Sequence, residues 1–313
     1  MRPTRSHALV LASALGMSFI LIHSYALKLA GVSSIQQVLL RIAIATPMLF
    51  VVLGRGRALR RPGGRELGLI LALGLVFTLF LFSALSAVAL GLPVAVAVAL
   101  VYTQPIYTAI ISALTGEERP SAWGAATVIL GTLGAFLATG LSVEEIMALR
   151  LGPGLLPGLL SGFLYALYLA LKRQARSRGL SPQQITCFTF ASALVMTGLL
   201  VIALLALGLE DPRLTALVVP NAYQLALLTS FAIVSTALPY TCLNFVSPRE
   251  ISPQEEGLLL LVDPALHVFW AFLIFRQAVS VGQYVGVALI LSASAICHIS
   301  RGKNERKEPA SKD

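Results

Sequence analysis

An acid, a proline and a histidine interrupt a long apolar stretch in the second half of the chain, at Asp263, Pro264 and His267. A carboxylate in lipid-like surroundings is costly unless it is paired or hydrated, so it is a functional candidate by default. Asp263 could exchange a proton, bind a cation or contact the cationic group of a substrate. The alternative is a structural acid that pairs with a base or accepts hydrogen bonds inside the protein.

A second polar residue followed by a proline, Gln104-Pro105, lies 159 positions before Asp263-Pro264 in another apolar stretch. Along a helix, Gln104 would lie roughly 18 Å, and Asp263 about 16 Å, from the membrane face at which its own predicted span begins. Both depths are near the middle of a hydrocarbon core about 30 Å thick. Each proline frees a carbonyl one turn earlier, which a membrane tolerates only against protein or a water-filled cavity. Matched kinks at Pro105 and Pro264 favour a cavity, although packing alone could also explain them.

Other polar side chains in apolar stretches extend the set of candidates. Arg41 could reach the outer interface, bind a substrate carboxylate or pair with Asp263. His267 lies one turn beyond Asp263 and could share its proton, and His23 lies near the level of Arg41; each histidine could equally be a satisfied interior residue. The tyrosines that could line a cavity or lie at the membrane interface are Tyr102, Tyr107, Tyr165 and Tyr168.

The composition predicts that these candidate residues lie in membrane-spanning helices. Of the 313 residues, 57% are hydrophobic and 12% are charged, compared with about 25% charged residues in a soluble domain. The apolar runs are long enough to span a bilayer, and no alternating strand pattern competes with helix. We therefore predict an all-α integral membrane protein with ten transmembrane helices. The predicted spans are roughly 8–29, 36–54, 67–90, 92–115, 122–141, 153–172, 182–207, 223–246, 252–275 and 280–300.

The distribution of charge orients this bundle. The net charge is +9, but the bases lie in short loops, where they set topology rather than bind nucleic acid. With the N-terminus in the cytoplasm, 18 of the 23 Lys and Arg residues are cytoplasmic. This asymmetry predicts a multi-pass protein of the cell membrane with both termini in the cytoplasm. The basic N-terminus is read as the start of an uncleaved first helix, because the apolar run is too long for a signal peptide.

The two halves of the chain repeat one another. Ser34-Ile35-Gln36-Gln37 opens the second span as Ser181-Pro182-Gln183-Gln184 opens the seventh, and Gly124 corresponds to Gly286. Five spans per half is odd, so the second copy enters the membrane inverted, an arrangement that transporters use. The predicted organisation is a cytoplasmic N-terminus (1–7), a first five-helix repeat (8–141), an external loop (142–152), a second repeat (153–300) and a cytoplasmic tail (301–313).

This doubled pattern resembles the EamA-type branch of the drug/metabolite transporter superfamily. The resemblance covers nearly the whole chain and implies a secondary transporter or exporter of small metabolites, such as amino acids or related compounds, with alternating access. Two features depart from the family: Phe275-Arg276-Gln277 replaces an expected Gly-Glu, and the first span lacks Trp-Gly. The residues that carry the resemblance are Arg41, Pro105, Gly116-Glu117-Glu118-Arg119, Asp263-Pro264, Gln283 and Gly286.

Two other classes of function remain as alternatives. A membrane-embedded enzyme acting on lipid or peptide would need a catalytic pair, and the usual motifs are absent from the sequence. A channel would need a selectivity filter, and none is recognisable. No nucleotide-binding motif, metal-ligand spacing or cofactor motif is present either, and Cys187, Cys242 and Cys297 show no pairing pattern. We expect a small-molecule substrate and membrane lipid as partners, with a homodimer left open, and no nucleic acid.

Overall fold

The computed structural model describes residues 4–54, 59–92, 94–118, 121–140, 152–208, 211–275 and 280–307. All regular elements assigned within these ranges are helical, which confirms the predicted all-α class. The first half contains α1 Arg5–Met17, α2 Ile20–Leu29, α3 Ser34–Leu53, α4 Gly64–Ala89, α5 Val94–Val101, α6 Gln104–Thr115 and α7 Ala122–Ala138. The second half contains α8 Leu155–Ser177, α9 Pro182–Ala206, α10 Pro212–Thr215, α11 Ala222–Ala232, a π-helical turn Ile233–Ala237, α12 Leu238–Asn244, α13 Pro253–Leu260, α14 Val262–Phe275 and α15 Val281–Lys307.

Seven helical stretches of the described chain are long and apolar enough to cross a membrane. Two further apolar helices, Ala122–Ala138 and Val281–Cys297, are shorter. The ninth predicted span is interrupted at Leu261, between α13 and α14. The protein is therefore a multi-pass membrane protein, and ten crossings remain a prediction. Large apolar side chains are exposed along the long helices, as a lipid-facing surface requires.

Helix α8 extends beyond its predicted end. Hydropathy placed the end of this span at residue 172, but the helix continues to Ser177, so Lys172 and Arg173 lie within it. Lys, Arg, Gln and Ala are good helix formers, which lets the helix continue through charged sequence. It ends before Gly179, whose φ of 88° is the left-handed conformation common just after a helix.

Matched caps begin the second helix of each repeat. The Ser33 hydroxyl accepts a hydrogen bond from the Gln36 amide, and the Ser181 hydroxyl accepts one from the Gln184 amide. This pattern is the usual N-terminal cap of a helix. Ser33 therefore corresponds to Ser181, which corrects the sequence alignment of Ser34 with Ser181 by one residue.

Helix packing follows the same two-fold pattern. Helix α4 packs on α8, and α1 packs on α12. Because α1 corresponds to α8 and α4 to α12 in the two repeats, these two contacts are equivalent by the two-fold pattern. Helix α3 packs on its counterpart α9, and α7 packs on its counterpart α15. The last pair is close because Gly134 and Gly286 meet: a Cβ added to Gly286 would lie 2.6 Å from the Gly134 oxygen. Small residues allow such close approach in membranes.

Candidate functional site

A cavity of about 380 Å³ lies between the two halves of the molecule. Helices α1 to α5 form most of its wall, and the second half contributes residues at α10, α12 and α14. At one end it reaches Lys28 and Arg213, which are exposed near helix ends. At the other end it reaches Tyr102 and Asp263, within the predicted spans. The cavity is therefore a pocket that extends from one end of the bundle to its middle.

The deep end of the cavity is built by two helix interruptions. Helix α5 ends at Val101 and α6 begins at Gln104, with Pro105 in its first turn. Helix α13 ends at Leu260 and α14 begins at Val262, with Pro264 in its first turn. Proline is favoured in the first turn because its missing N–H has no helical partner there. Both predicted kink prolines thus follow a break in the helix.

Asp263 joins the two interruptions through a hydrogen bond. The Tyr102 hydroxyl donates to Oδ2 of Asp263, and both residues line the cavity. Tyr102 lies in the turn between α5 and α6, so this bond connects the first half to the second. A buried carboxylate is stabilised by such a donor. The structure therefore brings together two of the sequence candidates, one from each repeat.

Arg41 lines the same cavity from α3 and is 1% exposed. Its guanidinium carbon lies 4.6 Å from the centroid of the Phe231 ring, within the range of a cation–π interaction. Arg41 forms no ion pair with any residue that the structure describes, Asp263 included. The side chain points into the protein rather than toward the outer interface.

Gln104 and Tyr107 are not among the residues that line the cavity. Gln104 is buried, and its amide nitrogen donates to the Thr108 hydroxyl one turn later, at 2.5 Å. Tyr107 is half-buried and packs edge-on against Phe163, with ring centroids 5.7 Å apart. The helix break turns Tyr102, rather than Gln104, toward Asp263.

Tyr165 and Tyr168 lie outside the cavity lining. The Tyr165 ring stacks on the cavity-lining Phe80 at 4.7 Å, and its hydroxyl donates to the Met17 sulfur at 3.4 Å. Tyr165 therefore supports the wall from behind. His267 belongs to α14, but its side chain lies outside the described part of the structure.

His23 is also placed behind the cavity rather than in its lining. Its Nδ1 lies 2.9 Å from the Phe19 carbonyl and its Nε2 lies 2.8 Å from the Ser230 hydroxyl. A carbonyl only accepts, so Nδ1 carries a proton, and in the neutral imidazole Nε2 then accepts from Ser230. The imidazole stacks on Phe231 with ring centroids 5.4 Å apart. His23 thus packs against the Phe231 ring, which in turn contacts the Arg41 guanidinium.

Tyr240 is a cavity residue that the sequence analysis missed. It is buried in α12, and its hydroxyl has no hydrogen-bond partner among the described residues. Its ring packs edge-on against Phe77 with centroids 4.6 Å apart. The only signal was a tyrosine directly after Pro239 in an apolar span. The π-helical turn before α12 changes which face meets the cavity, and no pattern in the sequence predicts that turn.

The opposite end of the bundle contains a buried ion cluster, formed by Lys172, Arg173 and Glu256. The Glu256 carboxylate contacts Arg173 at 2.7 Å and also contacts Lys172. All three side chains are at most 5% exposed. The Lys172 ammonium also donates to the Leu243 carbonyl at 3.1 Å. Burying these charges is costly, so the cluster depends on its geometry being complete.

Further contacts beside this cluster join the two halves. The His7 imidazole lies 3.0 Å from Glu255, and the Ser6 amide donates to Glu250 at 3.0 Å. The hydrogen bond from Ser6 lowers the pKa of the Glu250 carboxyl. Close by, burial raises the pKa of the Glu117 carboxyl, while Arg173 acts against that rise. Helix α1 is therefore tied to the loop before α13 and to its first turn.

An aromatic and polar layer separates the cavity from the buried ion cluster. Phe77 contacts Tyr168, Phe190 and Tyr240, with centroids 4.6 to 5.3 Å apart. The Tyr168 hydroxyl donates to Asn244 at 2.9 Å. These residues are fully or almost fully buried, so the cavity is sealed on this side.

From the sequence alone, Lys172 and Arg173 count among the bases of the cytoplasmic segments, and Glu255 and Glu256 as favourable charge at a helix N-terminus. The acids do lie in the first turn of α13, but they are buried and bonded. One signal of their pairing was available in the sequence: bases end the sixth predicted span and acids begin the ninth, on the same predicted side of the membrane. Among the described residues, no group of three or more His, Cys, Asp or Glu side chains could hold a metal ion.

These features define a class of protein: a helical, multi-pass membrane protein with two repeats around a central pocket. The EamA-like transporter family model matches residues 4–140 and 152–297, once in each half. The chain therefore belongs to the EamA-like transporter family and is a membrane transporter of the drug/metabolite superfamily.

A solved structure, described only as "Crystal structure of protein", has a similar fold, with a TM-score of 0.70 at 18% sequence identity. The match covers 94% of this chain and 98% of that one. At this identity the likeness concerns the fold alone. No curated protein matches the chain.

Proposed function

We propose that the protein is a secondary transporter that exports small metabolites, amino acids or related compounds among them, by alternating access between its repeats. The observation that carries this proposal is the unequal closure of the two ends of the bundle. The cavity reaches the helix ends at Lys28 and Arg213, whereas buried charges and aromatic rings fill the other end. A site near the midplane with access from one side is what alternating access requires.

Two oppositely charged groups of the cavity, Arg41 and Asp263, support a zwitterionic substrate. Arg41 and Asp263 line one cavity, and Arg41 makes no ion pair with a described residue. Opposite charges that are held in one pocket without neutralising each other favour a ligand that carries both. A volume of about 380 Å³ is near the lower end of small-molecule pockets, which run from roughly 300 to 1,000 Å³. A small metabolite would fill it.

The orientation in the membrane follows from the positive-inside rule. Lys172, Arg173 and other bases lie at the end of the bundle that carries the buried ion cluster, and this end is cytoplasmic in our proposal. The cavity then opens to the outside of the cell membrane. Loading from the cytoplasm would require the cluster to separate. The sequence has no nucleotide-binding motif, so we expect coupling to protons, ions or exchange.

Counterflow in proteoliposomes tests this function. Vesicles that contain the full chain are preloaded with an unlabelled amino acid, and uptake of the labelled compound is measured with and without a pH gradient. We expect transient accumulation above equilibrium for at least one compound of a metabolite panel, and none in protein-free vesicles. No counterflow for any compound, together with turnover of lipid or peptide, would reject transport in favour of a membrane enzyme.

A further inference from the structure

The Arg41 guanidinium is buried without the partners that a buried charge normally has. Its Nε and Nη1 atoms have no hydrogen-bond partner among the described residues, and it forms no ion pair with them. Burying a charge in this way is costly. Unsatisfied donors in the lining of a cavity are therefore evidence for a ligand that completes them.

The surroundings of Arg41 leave its donors available to such a ligand. Phe231 lies 4.6 Å from the guanidinium carbon, and stacking on a ring occupies a face of the plane rather than its N–H edge. Tyr240 lines the same cavity. Its hydroxyl also lacks a hydrogen-bond partner among the described residues. Two such groups beside one cavity suit a single acceptor with two oxygens.

The rest of the cavity narrows the class of acceptor. The planar fork of an arginine matches the two oxygens of a carboxylate. Asp263 lies at the deep end of the same cavity and would repel a second negative charge on the ligand there, which disfavours phosphate esters and dicarboxylates at that end; Lys28 and Arg213 lie at the exposed end. Phe80, Leu81 and Leu85 form an apolar wall. We infer that Arg41, with Tyr240, binds the carboxylate of a monoanionic or zwitterionic amphipathic substrate; that this ligand is transported rests on the proposed function.

Phe231 and His23 are positioning residues for this carboxylate site. His23 stacks on Phe231 and is itself held by Ser230 at 2.8 Å. The π-helical turn Ile233–Ala237 follows, and the Thr236 hydroxyl donates to the Phe231 carbonyl at 2.9 Å. Single π-helical turns within α-helices are frequent at functional sites. The ring that supports Arg41 is thus fixed by both halves of the chain.

Direct binding tests the site. The full chain in detergent is titrated by calorimetry with three carboxylates: phenylacetate, hexanoate and phenylalanine. Each is compared with its own amide, in which the carboxylate charge is removed: phenylacetamide, hexanamide and phenylalaninamide. Phenyl phosphate serves as the dianion. We expect at least one carboxylate to bind at least about tenfold more tightly than its amide partner, as a charge-assisted bidentate hydrogen bond predicts. Equal affinity within every pair, no binding of any carboxylate, or tighter binding of phenyl phosphate would overturn the inference.

Variants separate recognition from folding. Arg41→Met removes a buried charge without partners, so we expect its melting temperature to be unchanged or higher while the preference for the carboxylate is lost. Arg41→Lys keeps the charge but loses the fork, and we expect intermediate affinity. An undiminished carboxylate preference in Arg41→Met would reject the site. Phe231→Leu retains Arg41 and should weaken carboxylate binding several-fold with amide binding unchanged; an equal loss for both would make Phe231 merely structural.

The two proposals fail in different ways. Carboxylate binding that depends on Arg41, without counterflow of any compound, would retain the binding site and reject the transporter mechanism. Counterflow that is the same in the parent and in Arg41→Met would retain the transporter and reject the carboxylate site.

Discussion

At the scale of single residues, the protein keeps an acid and a base inside apolar surroundings. Asp263 is stabilised by the Tyr102 hydroxyl, and Arg41 by the Phe231 ring. The ring contact does not neutralise the Arg41 guanidinium, which therefore remains able to attract an anionic group of a ligand within the cavity.

Asp263→Asn tests the acidic end of the cavity. The substitution preserves shape and a hydrogen-bond acceptor for Tyr102 but removes the charge. We expect affinity for an amine-bearing substrate to fall at least about tenfold, since losing one partner of a buried charge pair costs roughly 2 kcal/mol or more. The measurement is the concentration dependence of counterflow for phenylalanine.

Asp211→Asn is the matched control for this experiment. Asp211 directly precedes the cavity-lining Pro212 and Arg213, and hydrogen bonds from Arg213 lower the pKa of its carboxyl. We expect little change in affinity, because its pair with Arg213 is largely exposed. Equal effects of both substitutions, or none from Asp263→Asn, would contradict a substrate contact at Asp263.

Sequence patterns identified the unusual residues but not all of their neighbours. Asp263, Arg41 and Tyr102 stood out as polar groups in or beside apolar runs, and all three line the cavity. Gln104 matches Asp263 in the repeat but does not line the cavity. Successive helix positions differ by about 100°, so the break before Gln104 decides which side chain faces inward. That rotation is set by tertiary packing.

At the scale of helices, interruptions and close packing determine the shape of the site. Two breaks followed by prolines bring Tyr102 and Asp263 together, and one π-helical turn precedes Tyr240. The prolines indicated the first two features in the sequence. The π-helical turn has no proline or glycine within Ile233–Ala237 to mark it, which is why Tyr240 was missed.

Gly286→Ala tests the close packing of α7 on α15. The added methyl would lie 2.6 Å from the Gly134 oxygen and 2.8 Å from the Leu137 carbonyl carbon, so the helices must separate. We expect a loss of stability of about 1–3 kcal/mol, as overpacking usually gives, measured by thermal unfolding in detergent. Gly282→Ala is the control on the same helix, because its new methyl would meet nothing closer than 3.8 Å. Equal melting temperatures for the two variants would show that this contact does not constrain the fold.

At the scale of the whole molecule, one end of the bundle is closed by charges whose individual partners no sequence pattern specifies. Lys172 and Glu256 are 84 positions apart, and only the fold brings them together. A hydropathy profile ends a span where charges begin, so a charged helix end that turns inward is interpreted as a loop. The repeat, the helical class and the membrane location could be predicted because they depend on composition and periodicity, whereas this pairing depends on packing.

Glu256→Gln tests how far the buried ion cluster stabilises the closed end. Without this carboxylate, Lys172 and Arg173 lie buried side by side, and we expect a loss of about 3–5 kcal/mol in unfolding free energy. Glu66→Gln is the matched control, because the Glu66 partner Arg60 is 66% exposed, and exposed pairs contribute about 0–1 kcal/mol. The measurement is thermal unfolding of both variants, each compared with the parent protein. A similar small shift for each would mean that the cluster does not hold this end closed.

Accessibility of a cavity thiol from each side of the membrane tests alternating access most directly. Ala84 lines the cavity, so Ala84→Cys is placed in a chain without its three native cysteines, and Ser177→Cys marks the opposite end. We predict that an impermeant maleimide labels Ala84→Cys only from the side opposite Ser177, and from both sides when Glu256→Gln is added. Labelling of Ala84→Cys from the Ser177 side in the parent background, or no change on adding Glu256→Gln, would contradict the account.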